Sequence, residues 1–502
     1  MTREARLVLA LVAATALARL PLAAVLGLSV DEAYTVVMAR RVSLGYFDHP
    51  PVTYWLAALA ARLSGGEAAI AVRLPFVLLF TGTSLLLFRL GRRLFGASAG
   101  LIAAVLLNVA LYFTVCTASW VLPDGPLLFF SAAATVCLAE AVFGSEDAAR
   151  PYWMGFGALA GGALLAKYHG VFLLAGAFLF LLLAPAQRRW LRRPEPWLAL
   201  GVSGLVFGPV LVWNATHGWA SFLFQGGRAG TLDEGHGSPF LDSVGGQALW
   251  MSPWIWLPLV VVLLDALRQG ARDERRFLLA CLAVGPIAGF TLLTALGVRG
   301  LAHWQAPGYF FVLPLLADSV ARRLAAGAPW TRRWLWGSAA ATALLLAVLV
   351  SHALTGWLGR LTPWLFARGD PTQDLISWDA VPERLSAWGQ PAPGVVVAGS
   401  RWGEAGKLAL ALGPAVEVTS VGEDPRGFRF VEPQEQLVGR DVLLLAERRA
   451  RAQEPMESYA PFFQRIEPLG SVLLRRGGKA ELEVSVYLAR GFRRPIPQRR
   501  PR

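Results

Sequence analysis

Lysine is nearly missing from this chain: of 47 basic residues only Lys167, Lys407 and Lys479 are lysines, and the rest are arginines. Cysteine is scarce as well. The three cysteines, Cys116, Cys137 and Cys281, fall inside or beside apolar runs, which leaves neither a disulfide framework nor a metal-ligand spacing. Charged residues amount to 16%, well below the roughly 25% of a soluble domain. No Walker loop or glycine-rich strand-to-helix turn occurs in the apolar region, so a nucleotide donor is not indicated. The net charge of +13 does not mark a nucleic-acid partner, because the arginines sit in short loops between apolar runs rather than along one stripe.

What the chain has instead is apolar length. Hydrophobic residues make up 55% and the mean hydropathy is +0.48. They gather in runs of about 17 to 22 residues, enough to cross a ~30 Å hydrocarbon core. The expected spans are residues 7–28, 70–90, 99–115, 126–143, 152–166, 170–183, 197–213, 249–267, 277–296, 304–317 and 335–354. Residues 152–166 and 304–317 are short for a span and are expected to be tilted, broken or partly buried in protein. The first run follows Arg3 and Arg6 and is longer than the apolar core of a signal peptide, so it reads as an uncleaved first span.

Arginine sets the orientation. Arg89, Arg92 and Arg93, then Arg150, then Arg188 to Arg193, then Arg268 to Arg276, then Arg322 to Arg333 fill alternate connections. The positive-inside rule places those loops, and the N-terminus, in the cytoplasm. The expectation is an all-α polytopic membrane domain of about eleven helices over residues 1–354, followed by a small soluble α/β domain over 355–492 on the outer side. Strand-like stretches at 394–399, 416–419, 441–445, 471–474 and 481–488, with helices at 374–388 and 404–412, support the latter. Residues 493–502, rich in arginine and proline, are expected to be a disordered tail.

The outer side collects the chemistry. His49, His169, His217, His236, His303 and His352 all land on or beside it, as do Asp31, Glu32, Asp48, Asp124, Asp233, Glu234 and Asp242. Asp31 and Glu32 begin the first outer loop and offer a general base for a hydroxyl or amine. Ser29-x-x-Glu32 equally fits a capping box, which accounts for Glu32 but does not require Asp31. Asp48 precedes His49-Pro50-Pro51 and suits the cap of a following interfacial helix. Asp124, before Gly125-Pro126, is either a cap or a second carboxylate facing the first loop. Lys167, beside Tyr168, is the one lysine of the membrane portion. A cation on the outer side, away from the cytoplasmic anchors, is functional by default and suits a phosphate. Arg19, and Arg299 with His303, can serve the same anion. A divalent metal is compatible with these groups, but no ligand spacing indicates one and no cofactor is assigned.

As an ordered set, Asp31-Glu32-Ala-Tyr34, Gly45-Tyr-Phe-Asp48-His49-Pro50-Pro51, Arg73-Leu-Pro75, Leu122-Pro-Asp124-x-Pro126, Lys167-Tyr168, Trp213-Asn-Ala-x-His217-Gly-Trp219 and His303-Trp-x-Ala-Pro307 resemble bacterial GT-C glycosyltransferases. The branch is that of protein O-mannosyltransferases and of aminoarabinose and galacturonosyl transferases. The resemblance implies inverting transfer of a sugar from a polyprenyl-phosphate carrier to a glycolipid, glycan or protein acceptor on the outer face of a bacterial inner membrane. It also implies Asp31 as catalytic base, Glu32 as its neighbour and Asp124 as the carboxylate of the second loop. Lys167, Tyr168, Asp48, His49, Arg299 and His303 are the expected donor-phosphate or substrate contacts. A flippase or transporter for a lipid-linked anionic glycan shares the cations and the cavity, but no internal repeat of the transporter kind is found.

Overall fold

The computed structural model describes residues 1–230, 238–298, 300–367, 369–448 and 455–498. Helix α1 (Arg3–Val25) leads into two shorter helices, α2 (Val30–Ala39) and α3 (Val52–Ser64). Then come α4 (Ala69–Phe95), α5 (Ala97–Val109) and, after a π-helical turn at Phe113–Thr117, α6 (Asp124–Phe143). The bundle continues with α7 (Ala149–Ala166), α8 (Val171–Leu183), α9 (Glu195–Thr216), α10 (Ala220–Gly230) and α11 (Pro239–Met251). It closes with α12 (Pro253–Gln269), α13 (Glu274–Ala295), α14 (Ala306–Ala325) and α15 (Pro329–Thr355). Each expected apolar segment has a helix. Among the described residues seven helices are long and apolar enough to cross a membrane, or up to 8 if the bent pair Tyr168–Leu183 and Pro185–Arg192 is one span. The chain is a multi-pass membrane protein.

The two short segments differ from each other in burial. Nearly all of α14 from Ala306 to Asp318 is enclosed by other helices. On α7, Gly157 and Gly161 let α9 approach backbone to backbone: a Cβ at Gly157 would lie 2.2 Å from the Ala199 carbonyl oxygen. With no hydrophobic driving force between helices in lipid, such small-residue contacts hold them together.

The arginine-rich loops meet at one end of the bundle. Arg93 pairs with Glu140, Arg189 and Arg193 with Glu146, and Gln187 with Glu274, while Arg275 donates to the Leu94 carbonyl. Arg276 is buried between Asp265 and Asp318. The opposite end carries α2, α3 and everything after α15.

Beyond α15 lie α16 (Trp357–Leu361), α17 (Ala380–Ala387) and a five-stranded sheet. Strand β1 (Val396–Gly399) is followed by α18 (Trp402–Leu412), β2 (Val418–Ser420), β3 (Val442–Glu447), β4 (Phe463–Arg476) and β5 (Lys479–Phe492). The order is β2-β1-β3-β5-β4. The first three strands run parallel, joined through α18, and β5 is antiparallel to β3 and β4. The helix expected over 374–388 is shorter: a 3₁₀ turn spans Pro371–Leu375 and α17 starts only at Ala380. Ile376 and Trp378 in between are buried side chains of the core. The expected disorder of 493–502 does not hold at its start. The Arg493 amide donates to Phe462, the Ile496 amide donates to Gln434, and Ile496 is buried.

The sheet and α2 share one core. Ala33, Tyr34 and Val37 of α2 pack in the same apolar cluster as Leu408 of α18 and Val397, Leu443 and Val486 of the sheet. Gly406 permits this approach, because a Cβ there would sit 2.9 Å from Tyr34 Cα. Lys407 donates to the Leu28 and Ile376 carbonyls, and Arg40 to the Ala409 carbonyl at 3.0 Å. Backbone cannot yield as a side chain can, so Gly406→Val is expected to cost about 1–3 kcal/mol or more through overpacking. A lowered melting temperature with faster proteolysis of the C-terminal region would be the readout; an unchanged melt would show that the two helices can separate freely.

Candidate active site

A cavity of about 590 Å³ opens at the end of the bundle that carries the sheet domain. Asp31 stands on its wall at the first turn of α2, where Ser29 and Glu32 form a full capping box. Its carboxylate makes no hydrogen bond among the described residues. It is open to the cavity yet surrounded by protein on most other sides. That enclosure raises its pKa above the ordinary value; Arg426 opposes the shift, and Asp48, Asp374 and Glu32 add to it.

Glu32 points the other way and is fully buried. It accepts from Arg73 Nε at 2.8 Å and Nη2 at 2.7 Å, from the Ser29 amide at 2.9 Å and from the Val121 amide at 3.1 Å. Arg73 also donates to the carbonyls of Ala23, Leu26 and Gly27, which satisfies orphan acceptors at the end of α1. Burial pushes the Glu32 carboxyl up, but the Arg73 charge and these donors outweigh it and hold its pKa below the ordinary value. With its oxygens so engaged, Glu32 is a scaffold group beside Asp31.

Asp124 and Lys167 form a closed pair in the lining of the same cavity. Lys167 Nζ lies 2.9 and 2.8 Å from the two Asp124 oxygens, and Tyr112 Oη donates to Oδ1 at 2.7 Å. Asp124 is the first residue of α6 and makes no cap there. The π-helical turn between α5 and α6 leads into the segment 118–123 that carries Pro123 and Asp124 to this wall, as such turns often do at functional sites. The His303 ring stacks on Tyr112 at 6.2 Å between centroids. Tyr168 Oη and Ser221 Oγ are 2.6 Å apart. His49, Tyr168, His169 and His303 all line the cavity.

Asp48 is not the expected helix cap: Pro51 precedes α3 and no side chain caps it. Side chains of α2 and of α3 itself claim Asp48 instead. Tyr34 and Tyr54 donate to its Oδ1 at 3.1 and 2.9 Å. Asp48 and Glu32 therefore stand behind the wall. Arg19 lies elsewhere, on α1, bonded to Asn108 at 3.0 Å. Arg299, His236, Asp233 and Glu234 lie outside the described residues. Among the described residues no three His, Cys, Asp or Glu side chains converge to hold a metal ion.

Against known proteins, the dolichyl-phosphate-mannose-protein mannosyltransferase family matches residues 48–213. The lipid A galacturonosyltransferase RgtD of Rhizobium johnstonii is 28% identical over 294 residues, 56% of this chain and 58% of that protein. The match thus spans less than two thirds of that relative's length. The crystal structure of ArnT from Cupriavidus metallidurans superposes with a TM-score of 0.64 over 96% of this chain and 97% of that one, at 16% identity. The fold is that of a GT-C glycosyltransferase. ArnT bound to undecaprenyl phosphate superposes almost equally well, with a TM-score of 0.63 at 15% identity.

Within this GT-C fold, the cavity brings together Asp31, His49, Asp124, Lys167, Tyr168 and His303 from the expected set. Sequence reasoning missed Tyr112, Trp250, Trp402 and Arg426 on the same wall. Tyr112 and Trp250 look like ordinary aromatic residues of apolar segments. Trp402 and Arg426 come from the sheet domain, and no local pattern announces a partner so distant in sequence.

Proposed function

We propose that this chain is an integral-membrane glycosyltransferase that moves a sugar from a polyprenyl-phosphate carrier to a glycolipid on the outer face of a bacterial inner membrane. The observation that carries this reading is one cavity whose lining bears both an unpaired carboxylate, Asp31, and the Asp124–Lys167 pair. The ArnT complex with undecaprenyl phosphate supports the donor class, and the lipid A galacturonosyltransferase supports a glycolipid acceptor over a glycan or protein. The arginine-rich loops gathered at the other end of the bundle support a cytoplasmic N-terminus and an outward sheet domain.

The step balances on these groups. The acceptor hydroxyl gives its proton to the Asp31 carboxylate as its oxygen attacks the anomeric carbon. The bond from that carbon to the carrier's phosphate oxygen breaks, its electron pair stays on the phosphate, and the anomeric configuration inverts. An ammonium has three donors. Lys167 uses two on Asp124, which leaves a third for a phosphate oxygen where negative charge develops. His303, Tyr168 and His49 complete the polar lining, and Arg299 is proposed as a further phosphate contact.

The test is transfer in proteoliposomes from a radiolabelled undecaprenyl-phosphate sugar to lipid A. Label should move into the acceptor with the purified protein and stay on the carrier without it. Label confined to the carrier across uronic, neutral and amino sugars would end the proposal.

A further inference from the structure

Arg426 belongs to the sheet domain, in the loop between β2 and the short helix Phe428–Val431, yet it lines the same cavity as Asp31. Its backbone is left-handed, with φ of 47°. A non-glycine residue there costs on the order of 1–3 kcal/mol and persists only where its surroundings impose it. They do so here: the Gly427 amide donates to Tyr34 Oη at 2.9 Å, and Tyr34 Oη in turn donates to Asp48.

The guanidinium carbon lies over the Trp402 ring, 3.7 Å from its centroid. Asp48 Oδ2 is 3.6 Å from Nη1 and Asp424 Oδ2 is 3.5 Å from Nε. Those are distances of charge balance rather than of directed hydrogen bonds. Nε is buried and has no hydrogen-bond partner among the described residues. Arginine elsewhere in this chain behaves differently. Arg73, Arg476 and Arg40 each hold carboxylates at 2.7 or 2.8 Å.

We propose that Arg426 is the substrate-anion contact of the cavity. Its stacked, unspent N–H groups receive an oxyanion carried by a substrate, either a carboxylate on the transferred sugar or a phosphate on the acceptor lipid. A planar fork fixed on an aromatic face is suited to such bidentate recognition. The proposal rests on the transferase reading and deepens it. It gives the sheet domain a part in substrate choice, delivered 3.7 Å above Trp402 rather than through a site of its own.

The test uses the full chain in liposomes with undecaprenyl-phosphate-linked galacturonic acid or galactose as donor. The acceptor is lipid A with or without its phosphates. Wild type, Arg426→Gln and Arg426→Lys are compared by kcat and KM. If the sugar carboxylate is the ligand, Arg426→Gln should lower the preference for galacturonic acid over galactose about tenfold or more, mainly through KM. If the acceptor phosphate is the ligand, the same loss should appear in the preference for phosphorylated lipid A. Arg426→Lys should recover part of either preference. It keeps the charge without the fork, so it stands alone if the Gln variant does not fold. One common factor across all four substrate pairs, or no change in either preference, would overturn the proposal and leave Arg426 as a counter-charge to Asp48. No transfer by wild type on any pair would instead defeat the transferase reading, and this inference with it.

Discussion

Asp31→Asn is expected to reduce sugar transfer by about 10²–10⁴-fold, the usual contribution of a positioned general base, while leaving the folded protein intact. The substitution is nearly isosteric, and α2 does not depend on it: its start is held by Ser29 and Glu32. Asp31 also makes no hydrogen bond among the described residues, so no structural partner is orphaned. The pH profile gives a second check. A base works only when deprotonated, and the Asp31 pKa is raised by the protein enclosing it. The rate should therefore fall as the pH drops through that raised value, earlier than an ordinary carboxylate would require. Arg426 holds the shift back. Loss of activity together with loss of the melting transition would instead make Asp31 a structural residue.

Breaking the Glu32–Arg73 pair is expected to cost about 3–5 kcal/mol, because either single change leaves an uncompensated buried charge. The side chains are 0% and 1% exposed, so water cannot step in. Glu32→Gln strands the guanidinium between carbonyls; Arg73→Met strands the carboxylate and also frees the acceptors at the end of α1. The double variant should be more stable than the sum of the two losses predicts, since neither charge is then left alone. Thermal unfolding in detergent measures this. Strict additivity of the two changes would remove the pair from the list of stabilising contacts. The difference from Asp31 is instructive: two adjacent carboxylates on one helix face opposite environments, and only one of them meets the cavity.

The membrane part was legible because hydropathy reports burial in lipid directly. Even the weak segment 304–317 was informative, since protein rather than lipid surrounds α14 from Ala306 to Asp318. The strands of the sheet domain were legible from β-branched runs such as Val395-Val396-Val397. The irregular stretch around Ile376 and Trp378 was not, because its place is fixed by Lys407 reaching across to the Ile376 carbonyl. Lone residues behaved similarly. Lys167 stood out by type and proved to be on the cavity wall, but its bond to Asp124 joins the end of α7 to the start of α6, 43 residues apart. Asp48 read as a cap because local rules offered nothing else, whereas Tyr34 and Tyr54 take it from two different helices. Arg426 carried no signal at all: its importance depends on a backbone angle and on a helix at the far end of the chain.

That long-range closure has a consequence for biosynthesis. Arg40 bonds to Ala409 across 369 residues and Tyr34 to Gly427 across 393. At roughly 5–20 residues per second, the loop bearing Asp31 waits on the order of 20–75 s after its own emergence for the sheet that will cover it. During that interval the half-built chain has Asp31 in place but neither Trp402 nor Arg426 overhead. Completion of the cavity is thereby tied to the late stages of translation, so a nascent chain stalled in the membrane has an unroofed site.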